Sequence, residues 1–150
     1  MASKAIQPET ISAKLIARWE ETGKKIAALA EEFPETKFSY RPVEEARSVA
    51  EVLRHVAFWN LYVANSARGE KADDSANELP KEQFTTKKKI VDALRQSTAN
   101  ATAALQNPKP SLSPELAEMV VMFLEHTCEH YGQLVVYARL NGIVPPTSKG

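Results

Sequence analysis

The chain has little cysteine and no excess of either charge. Cys128 is the single cysteine, which excludes an internal disulfide and favours a reducing compartment. The 19 basic residues balance the 19 acidic ones, so there is no general positive field to attract nucleic acid or an anionic membrane. No apolar run approaches the roughly 20 residues that cross a bilayer, and residues 1–8 lack the apolar segment of a signal peptide. We therefore expect a cytoplasmic protein without a nucleic-acid or membrane partner. The sequence leaves open whether a signal peptide has been removed.

The sequence also lacks strand patterns and internal repeats. Instead, four segments carry apolar residues at the three- and four-residue steps that are typical of amphipathic helices. These segments are residues 9–33, residues 48–68, a stretch that begins between 81 and 86 and ends at 106, and residues 113–141. A chain of 150 residues can bury one core. We predict an all-α fold in which residues 1–150 form a single four-helix-bundle domain.

The ends of the helices and the connections carry further signals. Pro8 suits a first helical turn, Ser48-Val-Ala-Glu51 is a capping box, and Gly142 is placed to end the last helix. The linker of residues 34–47 is long enough, at about 3.3 Å per residue, to run the length of a bundle. We therefore predict a long crossover connection between helices 1 and 2. The short turn at residues 107–113 predicts that helices 3 and 4 are antiparallel neighbours.

Histidine is scarce, and its three positions form a pattern. His126 and His130 lie four residues apart in the last helix, so both imidazoles lie on one helical face. That face also carries a cluster of apolar residues: Leu116, Met119, Phe123, Leu134 and Tyr137. Buried neutral imidazoles need partners, which either buried polar groups or a shared Zn²⁺, Ni²⁺ or Fe²⁺ can provide. His55, at the edge of the second helix's apolar face, makes a three-histidine metal site workable.

The neighbours of the histidine pair have weaker claims to a role. Gln133 follows His130 by three positions, where it could orient a histidine nitrogen or a bound water. Glu129 is displaced sideways and we expect it to face solvent, whereas Cys128 lies on the opposite side of the helix. There is no H-E-x-x-H, so the glutamate base of the zincin proteases is absent. Three histidines would leave a coordination position open, as in catalytic rather than structural sites. The sequence identifies no catalytic residue beyond them.

Two stretches resemble the DinB family within the DinB/YfiT-like superfamily of metalloenzymes. They are R-S-V-A-E-V-L-R-H-V-A-F-W-N at residues 47–60 and H-T-C-E-H-Y-G-Q-L-V-V-Y-A-R-L-N-G-I-V-P-P at residues 126–146. The resemblance implies a four-helix bundle of unusual connectivity. It also implies a divalent metal held by a histidine of the second helix and an H-x-x-x-H pair of the fourth, which are His55, His126 and His130 here. Some relatives are transferases or isomerases that depend on a low-molecular-weight thiol.

Three hypotheses for the function follow. In the first, an enzyme activates water or a low-molecular-weight thiol to act on a small-molecule substrate, as a hydrolase or thiol S-transferase. Its thiol cofactor would need a basic residue for its carboxylates, for which Arg54 and Arg139 are candidates. The alternative is a non-catalytic, stress-related metal-binding bundle, and the third hypothesis is a plain helical interaction protein. Apolar surface on the first two helices would suit a homodimer.

Overall fold

Four helices make up most of the structure, a computed structural model that describes residues 10–150. They are α1 (Ile11–Glu32), α2 (Val49–Ala67), α3 (Lys87–Gln106) and α4 (Pro114–Leu140), and short 3₁₀ turns follow α1 and α4. No strand occurs between residues 10 and 150. The predicted all-α four-helix bundle is therefore confirmed. The first-turn role predicted for Pro8 lies outside the described residues.

The helices begin and end where local chemistry predicts. Each N-cap side chain accepts a hydrogen bond from a backbone N–H of the first turn, and these caps are Thr10, Ser48, Thr86 and Ser113. Ser48 and Glu51 form the predicted capping box, since each side chain accepts from the other's backbone N–H. Gly142, just after α4, has a positive φ of 70°, a conformation that glycine adopts without steric cost.

Two apolar clusters, one at each end of the bundle, show how the helices run. The first cluster joins the last turns of α1 and α4 to the first turns of α2 and α3. The second joins the opposite ends of the same helices. Hence α1 and α4 are parallel to each other and antiparallel to α2 and α3. Both α1 and α2 pack against α3 and α4, so α1 lies diagonal to α2, and α3 lies diagonal to α4.

This arrangement corrects two predictions about the connections. The long crossover was predicted between helices 1 and 2, but residues 33–48 stay at one end of the bundle. Phe38 is buried there, and its carbonyl accepts from the N–H of Ala50 at the start of α2. The linker is long enough to span the bundle, yet these contacts fold it back. Residues 68–86, between α2 and α3, run the length instead. Helices α3 and α4 are antiparallel as predicted, but they are diagonal rather than neighbours.

A layer of buried polar side chains lies between the two apolar clusters. Asn60 Nδ2 donates to Ser97 Oγ at 3.2 Å and to Thr98 Oγ1 at 3.3 Å. Thr98 also donates to the carbonyl of Leu94 at 3.0 Å, one turn earlier. Gly23 of α1 faces Thr98 so closely that an added Cβ would lie 2.1 Å from Thr98 Cγ2. The polar layer therefore requires glycine on α1 at this level of the bundle.

Exposed apolar surface lies mainly on α4, not on the first two helices where a homodimer face was expected. Among the described residues, the large exposed apolar side chains are Ile11, Val43, Val121, Met122, Val136, Leu140 and Val144. None of these belongs to α2, because its apolar residues fill the two core clusters. In the part of the chain that is described, no helix combines the length and the apolar character that a bilayer span requires.

Candidate metal centre

The three histidines meet at the middle of the bundle. The antiparallel packing of α2 against α4 brings His55 opposite His126 and His130, which lie one turn apart on α4. The ring centroids are 4.8 Å apart for His55 with each of the other two, and 4.6 Å apart within the α4 pair. One nitrogen from each ring lies within 4.8 Å of the other two nitrogens. His55 is buried, and the α4 pair is partly exposed, so the cluster opens at the α4 side.

The crossover connection fixes the orientation of His55. The ring nitrogen Nδ1 lies 2.5 Å from the backbone carbonyl oxygen of Asn77. A carbonyl oxygen only accepts, so Nδ1 carries the proton and Nε2 keeps its lone pair. The Asn77 side chain accepts from Trp59 Nε1 at 2.9 Å. The next residue, Glu78, pairs with the buried guanidinium of Arg54 at 2.5 Å. The connection between α2 and α3 therefore bonds to α2 on both sides of His55, at Arg54 and at Trp59.

A relay of hydrogen bonds fixes His130 in the same way. The Tyr137 hydroxyl donates to the carbonyl oxygen of Arg47 at 2.9 Å. That hydroxyl accepts from Gln133 Nε2 at 2.8 Å, so the amide turns its oxygen towards His130. Gln133 Oε1 lies 2.9 Å from His130 Nδ1 and accepts its proton. The relay leaves His130 Nε2 free for a ligand, as metal-binding histidines usually require.

The cluster fits a small divalent cation. His126 Nε2 and His55 Nε2 are 2.8 Å apart, and because His55 Nε2 is unprotonated, His126 Nε2 donates this bond. Metal–nitrogen distances of about 2.0–2.1 Å place two ligand nitrogens roughly 3–4 Å apart. The pair therefore has to separate slightly, and the proton of His126 has to leave Nε2. Three imidazoles are a donor set that suits Zn²⁺, Ni²⁺ or Fe²⁺.

Burial keeps the three histidines neutral, which is the form that binds a metal. Loss of hydration lowers the pKa of His55 to about 4, although the bond to Asn77 opposes the shift. Burial, followed by the nearby His130 and His55 rings, lowers the pKa of His126 to about 4. Burial also lowers the pKa of His130 against the opposing bond to Gln133. The positive charge of Arg47 contributes in the same direction at all three histidines.

Aromatic side chains border the histidine cluster on the side of the second apolar cluster. The Trp59 ring stacks on Phe123 with centroids 5.4 Å apart, and Tyr62 meets the Trp59 ring edge-on at 5.2 Å. Phe123 in turn lies 5.9 Å from His126. Trp59 and Tyr62 are partly exposed. This aromatic group gives the open side of the site an apolar border.

Several side chains considered from the sequence are placed away from the cluster. Glu129 and Cys128 are exposed on α4, and neither belongs to the group of nitrogens. Arg54 is occupied by Glu78, and Arg139 is exposed and donates to Ser148 Oγ at 3.1 Å. Gln133 does contact His130, but its role beside a metal stays a prediction, as does metal binding by the three histidines.

Sequence reasoning missed two contributors, Asn77 and Arg47. Asn77 acts on His55 through a backbone carbonyl, which every residue type carries, so no residue pattern marks it. Arg47 stands at the beginning of the stretch that resembles the DinB family, but its place beside α4 depends on the bond that its carbonyl accepts from Tyr137.

A groove of about 620 Å³ lies between α1 and α3. Small residues line it, including Gly23, Ala27, Ala99 and Ala103, with Thr98 and Thr102 at its floor. Thr102 donates back to the carbonyl of Thr98 at 2.9 Å. The groove contains none of the three histidines, so the candidate metal centre and this groove are separate features.

Comparison with known proteins shows the family to which the chain belongs. No match was found among curated proteins. The family model of the DinB superfamily matches residues 18–134, which include His55 on α2 and both histidines of α4. This match covers most of the chain, and the chain belongs to the DinB superfamily.

Proposed function

We propose that this chain is a divalent-metal-dependent enzyme whose metal is held by His55, His126 and His130. The observation that carries the proposal is the convergence of three imidazole nitrogens from two helices within 4.8 Å. Hydrogen bonds orient two of the rings through Nδ1, and burial keeps all three neutral. Three protein ligands are typical of catalytic zinc sites, since structural zinc sites usually use four.

The chemistry that we propose is hydrolysis or thiol S-transfer on a small-molecule substrate. A bound Zn²⁺, Ni²⁺ or Fe²⁺ supplies a Lewis acid that makes water or a low-molecular-weight thiol a nucleophile near neutral pH. The bonds from His55 to Asn77 and from His130 to Gln133 orient two of the proposed ligands. The aromatic group around Trp59 limits the access of water on one side. We place this activity in the cytoplasm, in keeping with the single cysteine, and we keep a homodimer as a further proposal.

A second candidate function is metal binding without catalysis, in a stress-related protein. The observation that favours it is the position of the site, which would link α2 to α4 through the ion. Such a link stabilises the bundle whether or not a reaction takes place, because binding to the folded state alone raises the free energy of unfolding.

The test measures metal in protein purified without a histidine tag. We expect about one metal per chain in the parent, and at least tenfold less in His126→Ala and His130→Ala. Cys128→Ser is the matched control, because this thiol is exposed on α4 and outside the cluster; it should keep the metal. A parent that binds no metal after incubation with Zn²⁺, Ni²⁺ and Fe²⁺ contradicts the proposal. Bound metal without turnover of thiol or hydrolytic substrates favours the second candidate.

A further inference from the structure

Arg47 differs from the other arginines near the histidine cluster. Arg54 is buried, and it pairs with Glu78 and donates to the carbonyl of Phe84. Arg41 pairs with Glu51, the capping residue of α2. The Arg47 side chain is partly buried, but within residues 10–150 its guanidinium makes no hydrogen bond and no ion pair. A partly buried cation without a partner needs a structural or functional reason.

The position of Arg47 connects it to the candidate metal centre. Its carbonyl accepts the Tyr137 hydroxyl, which begins the relay that ends at His130 Nδ1. Its positive charge contributes to the lowered pKa of each of the three histidines. The nearest acidic side chain along α2, Glu51, is already taken by Arg41 and by the backbone N–H of Ser48. Among the described residues, Arg47 is therefore a cation without a partner beside the site.

We propose that Arg47 binds the carboxylate of the small molecule that reacts at the metal centre. The inference rests on the proposed function. Three neutral imidazoles do not offset the charge of a divalent cation, so a bound ion adds positive charge where the charge of Arg47 already acts. An anion between them removes this repulsion, and the planar guanidinium matches a carboxylate with two parallel hydrogen bonds.

The substrate class that follows is a small molecule with two binding groups. One is the reacting group, such as a thiol, that meets the metal centre. The other is a carboxylate that meets Arg47. The partly exposed Trp59 and Tyr62 lie on the other side of the histidines, towards the second apolar cluster, and can contact the apolar part of such a molecule. Among the arginines considered from the sequence, neither Arg54 nor Arg139 can take this role, since one is paired and the other is exposed at the end of α4.

The experiment compares 3-mercaptopropionate with its uncharged amide as ligands of the Co²⁺-loaded protein. Absorption of the Co²⁺ centre reports the binding of each thiol. We expect the parent to bind the carboxylate at least tenfold more tightly than the amide. Arg47→Gln should lose most of this preference while it binds the amide as the parent does, and Arg47→Lys should keep part of it. Arg139→Gln is the matched control and should keep the full preference.

The outcomes separate the inference from the proposed function. Co²⁺ affinity in Arg47→Gln should equal or exceed that of the parent, since a neighbouring positive charge is removed; a merely structural role of Arg47 would lower it. If Arg47→Gln binds Co²⁺ and still prefers the carboxylate as strongly as Arg139→Gln does, the inference is overturned and the proposed function stands. If the parent binds no Co²⁺, the proposed function fails, and the inference fails with it.

Discussion

Gln133→Leu should weaken metal binding by about 10- to 100-fold while the bundle stays folded. In the parent, Gln133 Oε1 accepts from His130 Nδ1 at 2.9 Å, and its Nε2 donates to the Tyr137 hydroxyl at 2.8 Å. Leucine fills similar space but offers no acceptor, so the partly buried His130 loses the bond that fixes its ring and its tautomer. Removal of such a partner of a ligating histidine typically costs 10- to 100-fold in metal affinity, or about 1.4–2.8 kcal/mol.

Two further variants make the measurement specific to the relay. Tyr137→Phe leaves the bond between Gln133 and His130 possible but frees the amide to rotate, so its loss of affinity should be smaller than that of Gln133→Leu. Gln96→Leu makes the same substitution at an exposed position of α3 and should have no effect. Zn²⁺ affinity is measured by competition with a chromogenic chelator. An affinity of Gln133→Leu within about twofold of Gln96→Leu would refute the orienting role.

The remaining predictions concern stability. Gly23→Ala should lower the free energy of unfolding by about 1–3 kcal/mol, because the new Cβ would lie 2.1 Å from Thr98 Cγ2 and the helix-propensity gain of alanine is smaller than such overpacking. Denaturant midpoints test it, and Thr98→Ala in the same chain should recover part of the loss; no recovery would contradict the steric explanation. The metal-free protein should lose stability as the pH falls from 6.5 towards 4. The pKa of His55 is about 4 when folded, so the unfolded chain, with its ordinary value of 6.5, binds more protons in this window. His55 alone lowers the free energy of unfolding by about 2 kcal/mol between pH 7 and pH 5, and equal urea midpoints at these two pH values would count against the prediction.

The histidine cluster could be predicted because most of it follows from helical periodicity. His126, His130, Gln133 and Tyr137 lie on one face of α4, and i, i+4 spacing places such side chains above one another. His55 lies on the helix that packs antiparallel to α4, and its position at the edge of an apolar face allowed it to point into the core or along its rim. The contacts among these residues depend on patterns within single helices, which a sequence displays directly.

The connections could not be predicted in the same way. The length of residues 34–47 allowed a crossover, but length sets only a maximum reach, and the contacts of Phe38 keep that linker at one end. The actual crossover brings Asn77 to His55 across 22 positions of the chain. Asn77 acts on His55 through its backbone carbonyl, and Arg47 accepts the Tyr137 hydroxyl through its own, and such carbonyls are the same in every residue. A sequence therefore marks the histidines of this site but not the groups that orient them.

The same carbonyls explain how the bundle tolerates a polar centre. Three imidazoles and the polar layer around Asn60 interrupt what would otherwise be one continuous apolar core. Buried polar groups destabilise a fold chiefly when they lack partners. Here the two connections supply acceptors that α2 and α4 lack, because the carbonyls inside a helix are already bonded to its own N–H groups. The histidines can be buried in a neutral, oriented form because Asn77 and Arg47 contact these helices. The crossover is therefore part of the site as well as a link between helices.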